Sequence, residues 1–285
     1  MSALDFHINA GNLWGLRDAG FGPSGEGRPY WEAVKAAGYS GLQHYWPEPA
    51  ALEVGLAMSG MGRVLAEADA RLIAEQHKGW GFVATTLHVG TGLETDAQMD
   101  RLAAAVLDAA AATSHPLHIE THRATITQDL RRTVDLVERF PQLTFNADLS
   151  HWYTGHEMPY GDFEAKVAFI TPVLERTRYM HGRIGTSSMM QAPLALAQDG
   201  PARGHFETLW RAAFAGYRRS GAGTAFIFAP ELLPRSINHQ GVAHHLNYAP
   251  VSNAGGAWRE QTDRWAEALE LCELARAWFQ SQTNL

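Results

Sequence analysis

Pro116-Leu-His-Ile-Glu120-Thr-His122 and Leu143-Thr-Phe-Asn-Ala-Asp148-Leu-Ser-His151 are two apolar runs, each ending in a carboxylate, with one helical pattern, Thr127 to Phe140, between them. Strand, helix, strand is a βαβ unit, and such a unit implies a parallel sheet. Its chemistry stands where both strands end. A carboxylate at the end of a buried strand is costly unless it meets a cation or hydrogen-bond donors. Glu120 and Asp148, flanked by His122 and His151, therefore point to a metal site. Other strands must supply the remaining ligands.

Outward from this unit the alternation continues in both directions. Before it come strand candidates at Phe6–Asn9, Gly41–Trp46 and Phe82–Val89. Helical patterns over Tyr30–Ala37, Met61–Lys78 and Asp96–Ala112 separate them, and a Gly/Pro-dense loop from Phe21 to Pro29 follows the first. After it come a helix over Phe163–Arg178, a short strand over Arg178–Ile184 and a helix over His205–Arg219. The strand Thr224–Glu231, a loop Leu232–Gly256 and a last helix Trp258–Gln280 complete the chain. The segment Gly185–Gly200 leaves room for one stubby strand. No linker interrupts the series, so residues 1–285 are expected to form one domain, a (β/α)8 barrel. A doubly wound sheet would need a Gly-rich phosphate turn after its first strand, which this sequence lacks.

Composition narrows the function. Hydrophobic residues make up 46% and charged residues 19%, enough for a substantial core. The net charge of −7 argues against a nucleic-acid partner, whose footprint is basic. The one cysteine, Cys272, excludes an internal disulfide framework. No stretch approaches the ~20 apolar residues of a membrane span, and the first residues lack a signal-peptide pattern. A soluble cytoplasmic protein acting on a small molecule is the expectation, with homo-oligomerisation left open.

In a barrel, functional residues gather where the strands end, on one face. Those positions hold His88, Glu120, Asp148, His151, His181, Arg183 and Glu231. The carboxylates cannot share a barrel mouth without protons or a cation to offset them. One divalent metal ion answers this, and ligation by oxygen and imidazole favours Mn2+, Mg2+ or Co2+ over thiolate-type zinc.

Glu120 on the fourth strand candidate, Asp148-x-x-His151 on the fifth, His181 on the sixth and Glu231 on the last resemble the xylose isomerase-like TIM-barrel superfamily. Ile-Glu120-Thr-His-Arg and Asp148-Leu-Ser-His151-Trp are similar to its sugar phosphate isomerase/epimerase branch, and the likeness runs from about Gly38 to Glu231. The resemblance implies a metal, Mn2+ first and Zn2+ among the alternatives, held by Glu120, Asp148, His181 and Glu231. It implies that His151 and Arg183 contact substrate oxygens. It also implies proton abstraction next to a carbonyl through an enediolate, with Glu120 and Glu231 as the acid/base pair. His88 is expected to line the mouth, and Trp14 to wall a sugar. Arg183 stands nearer the ligand histidine than the substrate arginine of the epimerases does, and the stretch from His181 to Glu231 is longer than theirs. A keto-sugar or inosose dehydratase, an apurinic-endonuclease-like phosphodiesterase and a non-catalytic sugar-binding barrel are the rival readings.

Overall fold

The computed structural model describes residues 3–281. Eight parallel strands close on themselves: β1 (Leu4–Asn9), β2 (Gly41–His44), β3 (Ala57–Val64), β4 (Thr85–Val89), β5 (Leu117–Glu120), β6 (Phe145–Ala147), β7 (Thr177–Gly182) and β8 (Phe226–Pro230). β1 pairs with β2 on one side and with β8 on the other, which completes the ring. Helices alternate with the strands, so the chain is a (β/α)8 TIM barrel.

One strand escaped the sequence reading. Met61–Val64, assigned there to a helix, belong to β3, and the helix begins at Glu67. No strand lies in Gly185–Gly200; a short helix, Leu194–Gln198, stands there. β3 reads Ala-Met-Ser-Gly-Met-Gly-Arg-Val, and interior glycines weaken a strand signal. Packing requires them: a Cβ on Gly60 would overlap the His77 ring and come within 2.9 Å of Phe82. Gly60→Ala is expected to cost about 1–3 kcal/mol in urea denaturation by overpacking. A cost near zero would mean that His77 moves aside.

The long loop and the last helix also differ from expectation. Two hairpins occupy the segment after Leu232: β9 (Ser236–His239) with β10 (Val242–His245), and β11 (Val251–Ala254) with β12 (Ala257–Glu260). Trp258 therefore lies in β12, and the helix starts at Arg264 after an Asp263 cap. Arg264 is fully buried and ties this capping segment to the barrel. Its guanidinium donates to the carbonyls of Asn12 (2.6 Å), Trp14 (2.6 Å) and Leu232 (3.0 Å) and pairs with Glu260 at 2.7 Å.

The barrel interior is unusually polar for a layer that branched aliphatics commonly fill. At its lower level His7 Nδ1 meets Ser59 Oγ (2.9 Å), which meets the Tyr179 hydroxyl (3.0 Å). His118 meets Thr144 Oγ1 at 2.8 Å on the neighbouring side. Burial pushes His7 down to about 4 and His118 down to about 3. Both fold as neutral rings, while the unfolded chain takes up protons below about 6.5. Their contribution to stability is thus complete above that pH and is lost as pH falls towards 4 and below. The thermal midpoint should drop steadily over this window, and His7→Asn should flatten the slope. An unchanged slope in that variant would refute the assignment for His7.

Among the described residues, no helix is long and apolar enough to cross a membrane.

Candidate metal centre

β5, β6, β7 and β8 deliver four ligand-type side chains to one point. Glu120 ends β5, Asp148 follows β6, His181 lies in β7 and Glu231 follows β8. Nδ1 of His181 faces Glu231 Oε2 at 3.5 Å, Glu120 Oε2 at 3.6 Å and Asp148 Oδ2 at 4.0 Å. Its other nitrogen, Nε2, donates to Gln43 Oε1 at 2.9 Å. The orientation of Gln43 is fixed, because its oxygen also accepts from Asn9 and its amide nitrogen donates to Thr86. In the neutral ring the Nδ1 lone pair therefore points at the carboxylates. This buried nitrogen has no hydrogen-bond partner, as expected of a position meant for a cation. The donor set of three carboxylates and one imidazole fits a divalent ion.

Electrostatics follow the same geometry. Burial alone would raise Glu120, but His88 and His181 bring it well below the ordinary carboxylate range. Burial would also raise Asp148, yet Arg183, His151 and His181 hold it down at about 2. Glu231 behaves differently: burial raises it, and His181 and Arg183 offset this only in part. Burial would lower His181, but Glu231, Glu120 and Asp148 lift it to about 9. A proton on His181 thus takes the place that the donor set offers a metal, and binding would displace it.

Asp148 has two duties. Its Oδ1 caps the helix Leu149–Gly155, accepting from the Ser150 amide (3.2 Å) and hydroxyl (2.6 Å). Its Oδ2 faces the cluster and pairs with Arg183 Nη2. That nitrogen also lies 3.2 Å from Glu231, and Arg183 Nε donates to Ser150 Oγ at 3.1 Å. Arg183 is 1% exposed and covered by the Tyr248 ring, whose centroid is 4.9 Å away. Its Nη1 is left without a partner. His151 lies beside it, 3.5 Å from Asp148 and held neutral by burial.

The cavity at the cluster, about 190 Å³, is lined by Glu120, His181, Glu231 and His88, with Tyr45, Met61, Gly62, Arg63 and Thr86. His88 donates from Nε2 to Glu120 Oε1 at 3.0 Å, while Arg63 donates to its Nδ1 at 3.0 Å. The rings of His88, His122 and His151 stand in a row, with centroid spacings of 4.1 and 3.8 Å and planes tilted by 33° and 52°. Arg183 and His151 sit behind the carboxylates rather than on this cavity wall, and Trp14 lines an adjoining groove. The sequence reading missed Asn9 (3.3 Å from Glu231), Gln43 and Asn146 (2.9 Å from Glu120). Each is a buried amide side chain in a barrel strand, which demands a buried partner and was the available signal.

Three groups of residues have ligand atoms close enough to share an ion: Asp148, His181 and Glu231; Glu120, Asp148 and His151; and His88, Glu120 and His122.

The fold, a closed eight-stranded parallel barrel, is shared with solved TIM-barrel structures. The chain is similar to a D-tagatose 3-epimerase-like protein (TM-score 0.57, 8% identity, 98% of this chain and 99% of the other). It is similar to a xylose isomerase-like TIM barrel protein from Mycobacterium smegmatis in complex with magnesium (TM-score 0.57, 12% identity, 96% and 97%). It is also similar to endonuclease IV from Thermus thermophilus (TM-score 0.51, 18% identity, 98% and 99%). At these identities the likeness is one of fold. No protein-family model and no curated sequence relative matches the chain.

Proposed function

We propose that this chain is a divalent-metal-dependent sugar or sugar phosphate isomerase or epimerase that abstracts a proton next to a carbonyl through an enediolate. The observation that carries this reading is the meeting of two buried carboxylates and the partly buried Glu231 on the unpartnered Nδ1 of His181. Glu120, Asp148, His181 and Glu231 would hold the ion. Mn2+ is the first choice, with Mg2+, Co2+ and Zn2+ as alternatives; the magnesium complex of a barrel with the same fold supports Mg2+ as a candidate. A cation bound there supplies Lewis-acid stabilisation to negative charge growing on neighbouring substrate oxygens.

The side chains would do the rest. Glu231, raised by burial and facing the cavity, takes the carbon-bound proton, and Glu120 serves as its partner in returning one. His88 lines the mouth and holds Glu120 in place through its Nε2 hydrogen bond. Arg183 and His151 steady the charged wall from behind the carboxylates. Trp14 contributes an apolar face. A dehydratase or lyase would share the first proton abstraction and differ only in what leaves.

One observation favours a second reading. The three ligand groups are linked in series, Glu120 joining the group of His88 and His122 to that of His151, and Asp148 joining that of His151 to that of His181 and Glu231, an arrangement that suits a polynuclear centre and phosphodiester hydrolysis. The acidic net charge and the lack of an Asp-x-His pair after His181 oppose it.

Both readings meet one experiment. The purified chain is incubated with ketoses, inososes and sugar phosphates in D2O, with Mn2+ or with chelator, and its metal content is measured. Metal-dependent exchange of a single carbon-bound proton, with one ion per chain, is the expected result. Three zinc ions per chain with phosphodiesterase activity and no exchange would replace the first reading by the second.

A further inference from the structure

Two concavities meet at Tyr45. The inner one, about 190 Å³, holds the carboxylate cluster. The outer one, about 860 Å³, lies between the barrel loops carrying Trp14, Tyr45 and Trp46 and the β9–β10 hairpin with Ser236, Ile237 and Asn238. Pockets for organic ligands run to roughly 300–1,000 Å³. The inner cavity is below that range and accepts one small ring or an open chain; the outer is within it. A group attached to the reacting unit can extend past Tyr45 into the groove.

The groove's walls describe its ligand. Trp14, Tyr45 and Trp46 offer flat apolar faces, and Trp46 remains 58% exposed, which is unusual for a large aromatic group. Asp18, His44, Ser236 and Asn238 bring hydrogen-bonding groups around them. A pyranose has apolar C–H faces and a hydroxyl-bearing edge, and it needs this combination. The groove is also built in advance. Arg264 fastens the Trp14 loop and the start of the capping segment to one guanidinium, so the opposing walls are held before any ligand arrives.

We propose that the outer groove is a subsite for a second sugar ring, so that the substrate is a glycoside of at least two rings whose reacting ring enters the inner cavity. The assignment of the reacting ring rests on the function proposed above; the ligand class of the groove rests on its own walls.

Binding of cellobiose, maltose, sucrose and trehalose to the whole Mn2+-loaded chain is measured by calorimetry, with glucose, fructose and methyl glucoside as single-ring probes. At least one two-ring sugar should bind about ten-fold or more tightly than every single-ring probe, a gain of ~1.4 kcal/mol. Trp46→Ala and Ile237→Ala, both outside the barrel core, should each cut that gain about three-fold or more. If no two-ring sugar gains, or the gain survives both substitutions, the subsite is refuted. A gain lost with Trp46, together with no proton exchange on any sugar in D2O, keeps the subsite and removes the proton-abstraction reading. Exchange on single sugars with no two-ring gain does the reverse.

Discussion

Glu231→Gln is expected to slow metal-dependent proton exchange by about 10²–10⁴-fold, the usual contribution of a general base. Two carboxylates in one cavity differ sharply in their surroundings. Glu120 is 2% exposed, accepts from His88 at 3.0 Å and Asn146 at 2.9 Å, and is held well below its ordinary range. Such a group stays ionised and is a weak base. Glu231 accepts only a longer bond from Asn9, 3.3 Å, lies near His181 and Arg183, and is raised by burial. A base works best when its pKa approaches the working pH, which favours Glu231 for the first abstraction. Glutamine keeps the volume and removes the base. Glu231→Gln and Glu120→Gln should each lower metal affinity as well, because each removes a proposed carboxylate ligand along with a proton carrier. NMR of substrate in D2O, with calorimetric metal titration, separates the two effects. Full exchange rates in both variants on an identified substrate would end the assignment.

The strand-end cluster was legible in the sequence because buried carboxylates are chemically expensive. Glu120, Asp148, His181 and Glu231 each follow or close an apolar run, so their burial could be anticipated without a structure. β3 was illegible for the opposite reason. Gly60 makes room for the His77 and Phe82 rings and Gly62 lies against Ile73 and Leu87, a tertiary demand that leaves no periodic trace. The supporting amides were hidden too: Gln43 and Asn146 sit inside strands, and only the closed barrel brings Gln43 to His181, 138 residues away. Arg183 was legible as a charge but not in its setting. Sequence order alone could not place its guanidinium against Asp148 rather than out in the cavity. Nor could it reveal hairpins in a segment whose apolar residues pair across turns with exposed faces.

That setting makes Arg183→Met the most damaging substitution expected for stability. The guanidinium is 1% exposed, pairs with Asp148, lies 3.2 Å from Glu231 and donates to Ser150. Removing one partner of a buried ion pair leaves the other charge uncompensated, at a cost of about 3–5 kcal/mol. Denaturation of the chelated protein should register this loss. Asp148→Asn in the same chain should recover part of it, because the stranded charge is then gone, giving a coupling energy above ~1 kcal/mol in a double-mutant cycle. Arg183→Lys should fall between the two, since lysine restores a charge but not the fork that reaches Asp148 and Ser150 together. The cycle also separates two roles. A purely substrate-binding arginine would leave the stability of the free protein within ~0.5 kcal/mol of wild type on truncation, whereas a neutralising one must destabilise it. Metal should then stabilise Arg183→Met more than wild type, because the cation becomes the main positive charge among Glu120, Asp148 and Glu231. An equal metal-induced shift in both proteins would mean that Arg183 and the ion do not share those carboxylates.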